Sequence, residues 1–252
     1  MIALVTGASS GIGKDMAIYL SQLGYDILAI GRDKSKLDEL KNEIKTNLHI
    51  EVVDLSKQED VILLHEKVKK EYGEIDVLIN CAGFGTFGKF TKTKLETELS
   101  MIETNISAVH ILMKLFLQDM KEVDHGYILN VASVAGFMPG PLMSTYYATK
   151  AYVVRLTQAV YTELKKEKSH VVVSCLCPGP VNTNFNHVAN VHFNVSAKES
   201  KDVAKYGIDK MFKRKLIMIP GLEIKILRFL AKISPEKLVS FISYHVQVKK
   251  EN

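Results

Sequence analysis

The chain has 252 residues, of which 47% are apolar, and a formal net charge of +5. This length and apolar content predict one substantial core and a single domain over 1–252. The positive charge is small and spread along the chain, which does not favour a nucleic-acid partner. No uncharged stretch reaches the ~18–20 residues that cross a bilayer, and no basic, apolar leader opens the chain. We therefore expect a cytoplasmic protein.

Glycines follow the first predicted strand, 2–6, and precede a helix predicted over 12–23. Gly7, Gly11 and Gly13 stand between these elements in the spacing G-x-x-x-G-x-G. Glycine permits backbone angles and close approaches that other residues do not, and the N-terminus of a helix attracts phosphate. The segment therefore predicts a site for the pyrophosphate of a dinucleotide, with a plain loop as the alternative.

The second predicted strand, 26–31, is followed by Arg32, where an NAD-binding protein usually has an acidic residue for the ribose 2′-hydroxyl. The planar guanidinium of Arg32 suits a 2′-phosphate instead. Asp33 comes next, and we interpret it as the cap of a helix over 34–46. The sequence therefore favours NADP(H) over NAD(H) as the cofactor.

Strands and helices alternate along the chain. This alternation predicts a Rossmann-like, doubly wound α/β fold, in which about seven parallel strands carry helices on both faces. Ligands of such a fold bind at the carboxyl ends of the strands. Strands are predicted at 2–6, 26–31, 49–53, 76–80, 127–132, 171–176 and 215–219, and helices near 12–23, 34–46, 58–72, 95–120 and 146–166.

Three polar residues give the strongest chemical signal. Ser133 ends a predicted strand, and Tyr146 and Lys150 stand four residues apart at the start of a predicted helix. Residues four apart share a helix face, so the ammonium of Lys150 is expected to lower the pKa of Tyr146. A phenol that exchanges a proton beside a hydroxyl that holds a substrate oxygen predicts carbonyl–alcohol chemistry.

With these motifs the chain resembles the short-chain dehydrogenase/reductase family over nearly its whole length. The branch that it resembles includes acyl, ketone and hydroxysteroid-type reductases. The shared motifs are Thr-Gly-Ala-Ser-Ser-Gly-Ile-Gly over 6–13, Asn-Cys-Ala-Gly over 80–83, Asn105, Ser133, Tyr146 with Lys150, and Pro-Gly-Pro-Val-Asn-Thr over 178–183.

The resemblance implies a catalytic set of Asn105, Ser133, Tyr146 and Lys150. Tyr146 would exchange a proton with the substrate oxygen, and Ser133 would stabilise the charge on that oxygen. Lys150 would also bind the nicotinamide ribose, and Asn105 would hold a water that links Lys150 to solvent.

The resemblance also implies how a nicotinamide dinucleotide would bind. Asp54 and Leu55 would meet the adenine, and Val181 and Thr183 would lie near the carboxamide. The residues implied for cofactor binding are Gly7, Ser9, Ser10, Gly11, Ile12, Gly13, Arg32, Asp54, Leu55, Asn80, Ala82, Gly83, Tyr146, Lys150, Pro178, Gly179, Val181 and Thr183.

Bulky apolar residues near these motifs predict a bulky apolar ketone or alcohol as the substrate. Alternatively, these residues pack in the core or at a subunit interface and do not line a pocket. We expect 1–183 to bind the cofactor and catalyse, 184–214 to form a lid over the substrate, and 215–252 to hold the last strand and a helical end. The candidate wall residues are Phe84, Phe87, Phe137, Met138, Met143, Phe185 and Phe193, and two histidines of the lid, His187 and His192, are interpreted as loop residues.

The C-terminal region combines an apolar stripe with basic residues. We favour a helix that packs on the body or on a partner subunit, so membrane contact is not expected; a membrane surface or an acidic carrier protein is the alternative. The stripe is Leu222, Ile226, Leu227, Phe229, Leu230 and Ile233, and the basic residues are Lys225, Arg228, Lys232 and Lys237.

The three cysteines, Cys81, Cys175 and Cys177, are too few for a disulfide framework and suit a reducing compartment. Cys175 and Cys177 alternate along a predicted strand, which favours buried small residues over a metal site. No metal is expected.

Two other functions stay open. The protein could reduce 3-oxoacyl groups bound to a carrier protein, or bind NADP(H) as a regulatory module with little turnover. The family resemblance also implies a homodimer or homotetramer through the helices of 95–120 and 146–166.

Overall fold

The computed structural model describes residues 1–183, 185 and 197–248, and it centres on a parallel sheet of seven strands. The strands are β1 (Ile2–Thr6), β2 (Asp26–Gly31), β3 (Leu48–Val52), β4 (Val77–Asn80), β5 (Tyr127–Val131), β6 (Val172–Leu176) and, at the far edge, β9 (Ile217–Met218). Their order across the sheet is β3-β2-β1-β4-β5-β6-β9. The predicted doubly wound α/β fold is confirmed. A separate pair, β7 (Val181–Asn182) and β8 (Lys198–Glu199), also runs parallel.

Helices flank the sheet on both faces. The first five are α1 (Gly11–Gln22), α2 (Lys34–Asp38), α3 (Gln58–Glu71), α4 (Leu95–Ile102) and α5 (Ala108–Glu122). They are followed by α6 (Ser144–Lys166), α7 (Ser200–Phe212), α8 (Leu222–Ile233) and α9 (Glu236–Val248).

Two predicted helices differ from the observed ones. In place of the helix expected over 34–46, α2 is followed by a 3-10 turn, Glu39–Asn42. The tighter turn lets Leu40, three residues after Leu37, join it in the core. The helix expected over 95–120 is interrupted by a π-helical turn, Glu103–Ser107. Such turns often mark functional sites, and this one contains Asn105.

The alternating side chains of the strands build two cores, one on each face of the sheet. On β1, Val5 faces the layer of α1 and α7, where it joins Met16, while Leu4 faces the layer of α3 and α5, where it joins Leu64 and Phe116. This arrangement follows from the two-residue period of a strand. Because helices pack on both of its faces, the sheet holds the ends of its strands in fixed positions.

Helix α7 corrects the predicted lid over 184–214. Val203, Ala204, Ile208 and Met211 are fully buried in the core beside α1. Their spacing repeats every three to four residues, so the helical period was present in the sequence, and burial of this face makes 200–212 part of the body. The predicted lid residues Phe193, His187 and His192 lie outside the described residues.

We expect Ile208→Ala to lower the free energy of unfolding by about 2–5 kcal/mol, because a fully buried isoleucine leaves a cavity when it is truncated. Urea unfolding followed by circular dichroism measures this change. Ile226→Ala, at a half-exposed position of α8, is the matched control and should change stability by less than about 0.5 kcal/mol. Equal stability of the two variants would contradict a core position for α7.

Helices α8 and α9 end the described chain, and their apolar stripe is exposed. Leu222, Phe229 and Ile233 are 61–70% exposed, so the expected packing of the stripe on the body is wrong, and packing on a partner subunit stays a prediction. Instead, α8 contacts the body through Ile224, which faces Gly179, and through Arg228, which lies over the Phe137 ring. Within the described ranges, every helix is too short or too polar to cross a bilayer.

Candidate active site

The carboxyl ends of β1, β4, β5 and β6 meet at one edge of the sheet. A Cβ atom on Gly7 would lie 2.9 Å from the Cα of Ala82, and one on Gly11 would lie 3.1 Å from the methyl carbon of Thr183. The amide of Val134 donates to the carbonyl of Pro178 over 2.9 Å. Segments far apart in sequence are therefore brought into contact here, as expected at the switch point of a doubly wound sheet.

The glycine turn between β1 and α1 has the geometry that its sequence predicts. Gly7 and Gly11 have φ angles of +68° and +54°, which favour glycine. A Cβ on Gly13 would overlap the carbonyl oxygen of Gly7, so only glycine lets the helix start this close to the strand. The first turn of α1 contains no acidic side chain that would offset the positive end of the helix dipole. Ser10 is its N-cap residue.

Thr6 holds the glycine turn against the end of β4, a role that the sequence analysis did not assign. Its Oγ1 donates to the carbonyl of Ile79 over 3.2 Å and accepts from the amides of Cys81 and Ala82 at 3.0 and 3.1 Å. The residue is 2% exposed. A threonine that opens a glycine turn directly after a buried strand was the available signal.

We expect Thr6→Val to lower the free energy of unfolding by about 2–6 kcal/mol, since it leaves the partly buried amides of Cys81 and Ala82 without an acceptor at roughly 1–3 kcal/mol each. Valine keeps the shape of threonine, so packing stays nearly constant. Chemical denaturation measures the loss, and Thr6→Ser, which keeps the hydroxyl, should recover most of it. A serine variant as unstable as the valine variant would show that packing, not the hydroxyl, matters.

Arg32, Asp33 and Asp54 gather at the ends of β2 and β3. The Asp33 carboxylate accepts from the Lys36 amide at 3.2 Å and caps α2, as predicted. Burial raises the pKa of Asp54, but its hydrogen bonds with Ser56 and the charge of Arg32 outweigh that effect and hold the pKa below its usual value. Arg32 itself is exposed and forms no ion pair within the part of the chain that the structure describes.

Asn80 lies at the end of β4, but its side chain points into the protein. Its Nδ2 donates to Asn130 over 2.9 Å, and Asn130 donates in turn to Thr157 over 2.9 Å. This buried chain of hydrogen bonds joins β4, β5 and α6. The side chain of Asn80 therefore braces the end of the sheet.

Asn105 fixes the loop after β4 from the π-helical turn. Its Oδ1 accepts from the amide of Phe84 at 3.1 Å, and its Nδ2 donates to the carbonyl of Phe84 at 2.9 Å and to the hydroxyl of Thr149 at 3.1 Å. The hydroxyl of Thr149 donates to the carbonyl of Tyr146 over 2.7 Å. Asn105 thus ties the loop to the helix that carries Tyr146 and Lys150. No local sequence pattern indicates this link, because its partners are distant in the chain.

Ser133, Tyr146 and Lys150 are brought to the same place, as predicted. The Ser133 hydroxyl accepts from the amide of Ala135 at 3.2 Å and lies 3.4 Å from the carbonyl of Pro178. The Nζ of Lys150 lies 5.8 Å from the ring centre of Tyr146 and donates to the carbonyl of Val131 over 3.0 Å. Tyr146 and Lys150 are 9% and 6% exposed.

The pKa of Tyr146 moves opposite to the expected direction. Burial raises the pKa of the phenol, and the Ser133 side chain only partly opposes this shift. Burial also lowers the pKa of Lys150. The expected lowering by Lys150 is not found, because burial dominates and the lysine bonds to a backbone carbonyl. The protonated phenol, which can donate to a carbonyl oxygen, is the favoured form.

An apolar cluster surrounds the ring of Tyr146. Four predicted wall residues belong to it, and the Phe185 ring lies 5.2 Å from the Tyr146 ring. Phe137 instead packs in a neighbouring cluster, with the guanidinium of Arg228 4.4 Å from its ring centre. Met138 is half-buried. The wall residues in the Tyr146 cluster are Phe84, Phe87, Met143 and Phe185.

The cysteines are placed for packing. Cys175 and Cys177 are fully buried, with their sulfurs 3.6 Å apart, and belong to the core beside β6. Burial raises the pKa of the Cys81 thiol to about 12, which disfavours the thiolate needed to bind a metal. In 1–183, 185 and 197–248, no three potential ligands among His, Cys, Asp and Glu come together.

The model of the short chain dehydrogenase family matches residues 1–192. An uncharacterized oxidoreductase of Staphylococcus saprophyticus is 36% identical over 212 residues, which cover 82% of this chain and 89% of that protein. Estradiol 17-beta-dehydrogenase 11 of Mus musculus is 29% identical over 254 residues, 98% of this chain and 84% of that protein.

Solved structures agree. A short-chain dehydrogenase from Sphingobium yanoikuyae in complex with NADPH has a TM-score of 0.83 and 27% identity, with 95% of each chain covered. The bulky-bulky ketone specific alcohol dehydrogenase from Comamonas testosteroni has a TM-score of 0.77 and 26% identity, with 93% of this chain and 95% of that one covered. The chain belongs to the short-chain dehydrogenase/reductase family and is an oxidoreductase of that family.

Proposed function

We propose that this protein interconverts a bulky apolar ketone and the corresponding secondary alcohol with NADP(H). The observation that carries the proposal is the placement of Tyr146, Ser133 and Lys150 at one edge of the sheet, with the ring of Tyr146 in an apolar cluster. A phenol, a hydroxyl and an ammonium supply the proton transfer that carbonyl reduction requires.

The residues present fit a nicotinamide dinucleotide. The turn of Gly7, Gly11 and Gly13 opens onto the N-terminus of α1, where backbone amides and the helix dipole favour a pyrophosphate. Arg32 and Asp54 stand together where the adenosine end would lie, and the arginine fork suits a 2′-phosphate. When bound, the nicotinamide would supply or accept the hydride.

The chain's own residues would hold the substrate oxygen and move its proton. The Ser133 hydroxyl and the Tyr146 phenol would both donate to a carbonyl oxygen, and the phenol would transfer its proton as the alcohol forms. Lys150 would return a proton to the phenolate of Tyr146, on the side of the site where the nicotinamide ribose would lie. Asn105 would keep that route in place, since it fixes the loop of Gly83 next to Lys150.

The substrate class follows from the cluster around Tyr146. Phe84, Phe87, Met143 and Phe185 offer apolar surface and no charge, which favours a bulky apolar substrate. The Comamonas testosteroni enzyme described as bulky-bulky ketone specific supports the same class.

We expect Arg32→Ala to raise the KM for NADPH by about 10–100-fold, the worth of a charge-assisted pair of hydrogen bonds to phosphate. The KM for NADH should change less than about threefold, because NADH has no 2′-phosphate. Steady-state kinetics with both cofactors measures the effect. Lys36→Ala, which removes a neighbouring exposed cation, is the control and should change neither value much. Equal losses with NADPH and NADH would contradict the assignment of Arg32.

The proposed function is tested by NADPH oxidation with a panel of bulky ketones, steroids and 3-oxoacyl thioesters. Turnover of bulky ketones at saturating NADPH, with a KM for the ketone that does not depend on salt, supports the proposal. Turnover confined to carrier-bound thioesters, with a KM that rises with salt, would instead point to an acidic carrier protein. Tight NADPH binding without turnover of any substrate would point to a binding module.

We also propose a cytoplasmic homodimer or homotetramer, assembled through the helices of 95–120 and 146–166. A surface groove of about 660 Å³ runs along α3, α5 and α6 and is lined by residues of both signs, including Lys69, Asp119, Lys121 and Glu163. Such a mixed-charge face suits pairing between identical chains. Light scattering in solution tests the assembly.

A further inference from the structure

Helix α8 exposes an apolar stripe along one side. Leu222, Ile226, Phe229 and Ile233 follow one another at spacings of four, three and four residues, so they lie on one face. Each of them is at least 50% exposed. The opposite side holds Ile224, which faces Gly179, and Arg228, whose guanidinium covers the Phe137 ring. The stripe therefore points away from the body.

Helix α9 buries its polar side and exposes its apolar side, the reverse of a typical helix on the surface of a globular protein. Its buried residues are the polar Ser243 and Gln247, and Gln247 donates to the hydroxyl of Tyr147. Leu238, Phe241 and Ile242 are 48–63% exposed. A surface helix normally buries its apolar side, so the outward face of α9 has the character of a surface that something else covers.

Cations border this apolar face. Lys225 and Lys232 are seven residues apart, so they follow the same edge of the α8 stripe, and Lys237 is exposed in the first turn of α9. Glu223 and Glu236 are the acidic residues of the two helices. An apolar face bordered by lysines is the pattern of helices that lie in the interface of an anionic bilayer.

A second copy of the chain fits this face less well than lipid does. A twofold contact places the same surface against itself, and when the two α8 helices run antiparallel it brings the lysine edges of both stripes together. An anionic headgroup layer neutralises them instead. The oligomer proposed above uses different helices, α4, α5 and α6.

We propose that α8 and α9 dock on an anionic phospholipid surface, with their axes in its plane. The docked face is connected to the active site, since α8 touches Phe137 and α9 touches Tyr147, the neighbour of Tyr146. If the proposed reaction on apolar ketones holds, which is a separate matter from docking, this position lets the substrate enter from the lipid phase.

The test is flotation of the full chain with vesicles of phosphatidylcholine, with and without phosphatidylglycerol, in the absence of cofactor and substrate. We expect binding to the vesicles that contain phosphatidylglycerol and weaker binding as salt is raised. Phe229→Ser with Ile233→Ser should lower the partition coefficient by at least about tenfold, because two large side chains no longer enter the apolar layer.

A charge variant and a matched control sharpen the test. Lys225→Gln with Lys232→Gln should lower partition by about 30-fold on anionic vesicles, at roughly a fivefold loss per lysine. Ile62→Ser with Leu63→Ser, two exposed apolar residues of α3, should bind as the unmodified chain does. NADPH affinity should stay the same in all three variants, which shows that each is folded.

Three results would overturn the proposal. One is no binding of the unmodified chain to anionic vesicles. Another is equal binding by the unmodified chain and the Phe229→Ser, Ile233→Ser variant. The third is an oligomer, seen by light scattering, that the same variant dissociates, because a second copy would then cover this face. Because binding is measured without substrate, none of these results depends on whether the chain reduces ketones.

Discussion

We expect Tyr146→Phe to lower turnover of a ketone by about 100-fold to 10,000-fold, the usual worth of a positioned proton donor. The ring stays in its cluster with Phe185 and Met143, so the pocket keeps its shape. Only the hydroxyl is lost, and with it the proton that the substrate oxygen must receive. The Kd for NADPH, measured by fluorescence titration, should change less than about threefold because the phenylalanine keeps the fold intact.

Tyr147→Phe is the matched control for this experiment. The two tyrosines are neighbours on α6, with ring centres 6.1 Å apart, and Tyr147 uses its hydroxyl to accept a hydrogen bond from Gln247. The control should keep most of its turnover. A Tyr147→Phe variant that loses turnover while Tyr146→Phe keeps it would exchange the roles of the two residues.

We expect Lys150→Met to lower turnover by at least about 100-fold, the lower end of what acid–base groups contribute. Burial lowers the pKa of Lys150, because a buried ammonium is unfavourable and lowers the free energy of unfolding. Methionine has a similar length and no charge. The midpoint of thermal unfolding should therefore stay equal or rise, even though the carbonyl of Val131 loses its donor.

The opposite pattern would identify Lys150 as a structural residue. In that case Lys150→Met would unfold at a lower temperature and keep its turnover. Lys150→Arg separates charge from position: it keeps the charge, and the larger guanidinium must fit beside Gly83, where a Cβ atom would lie 3.4 Å from the Nζ of Lys150. We expect this variant to recover little activity, since the space beside the loop is fixed.

The sheet and the meeting of its motifs were predictable because their signals are local. Strands buried on both faces read as short apolar runs, and the predicted bounds of β1 and β2 match the observed ones. Asp33 as a helix cap followed from its position before Lys34, and the structure confirms it. The placement of Ser133 near Tyr146 followed from its position at the end of a predicted strand and from the family resemblance.

Other features depend on distant contacts that no local pattern contains. The pKa of Tyr146 is raised by burial, which outweighs the hydrogen bond from Ser133, and Phe185 lies against its ring. The bracing roles of Thr6 and Asn80 need the partner strands in place. Whether the α8 stripe faced the body or solvent was undecidable from its period alone, because the period gives a face and not its direction.

We propose that Tyr146, Ser133 and Lys150 carry out carbonyl reduction with NADPH. Deuterium transfer tests it most directly: the protein is incubated with a bulky ketone and NADPH that carries deuterium at both C4 positions, and the product is analysed by mass spectrometry. We predict an alcohol with one deuterium on the former carbonyl carbon, and almost none from Tyr146→Phe. Bound NADPH with no deuterium in any product would contradict the assignment of this site as a reductase.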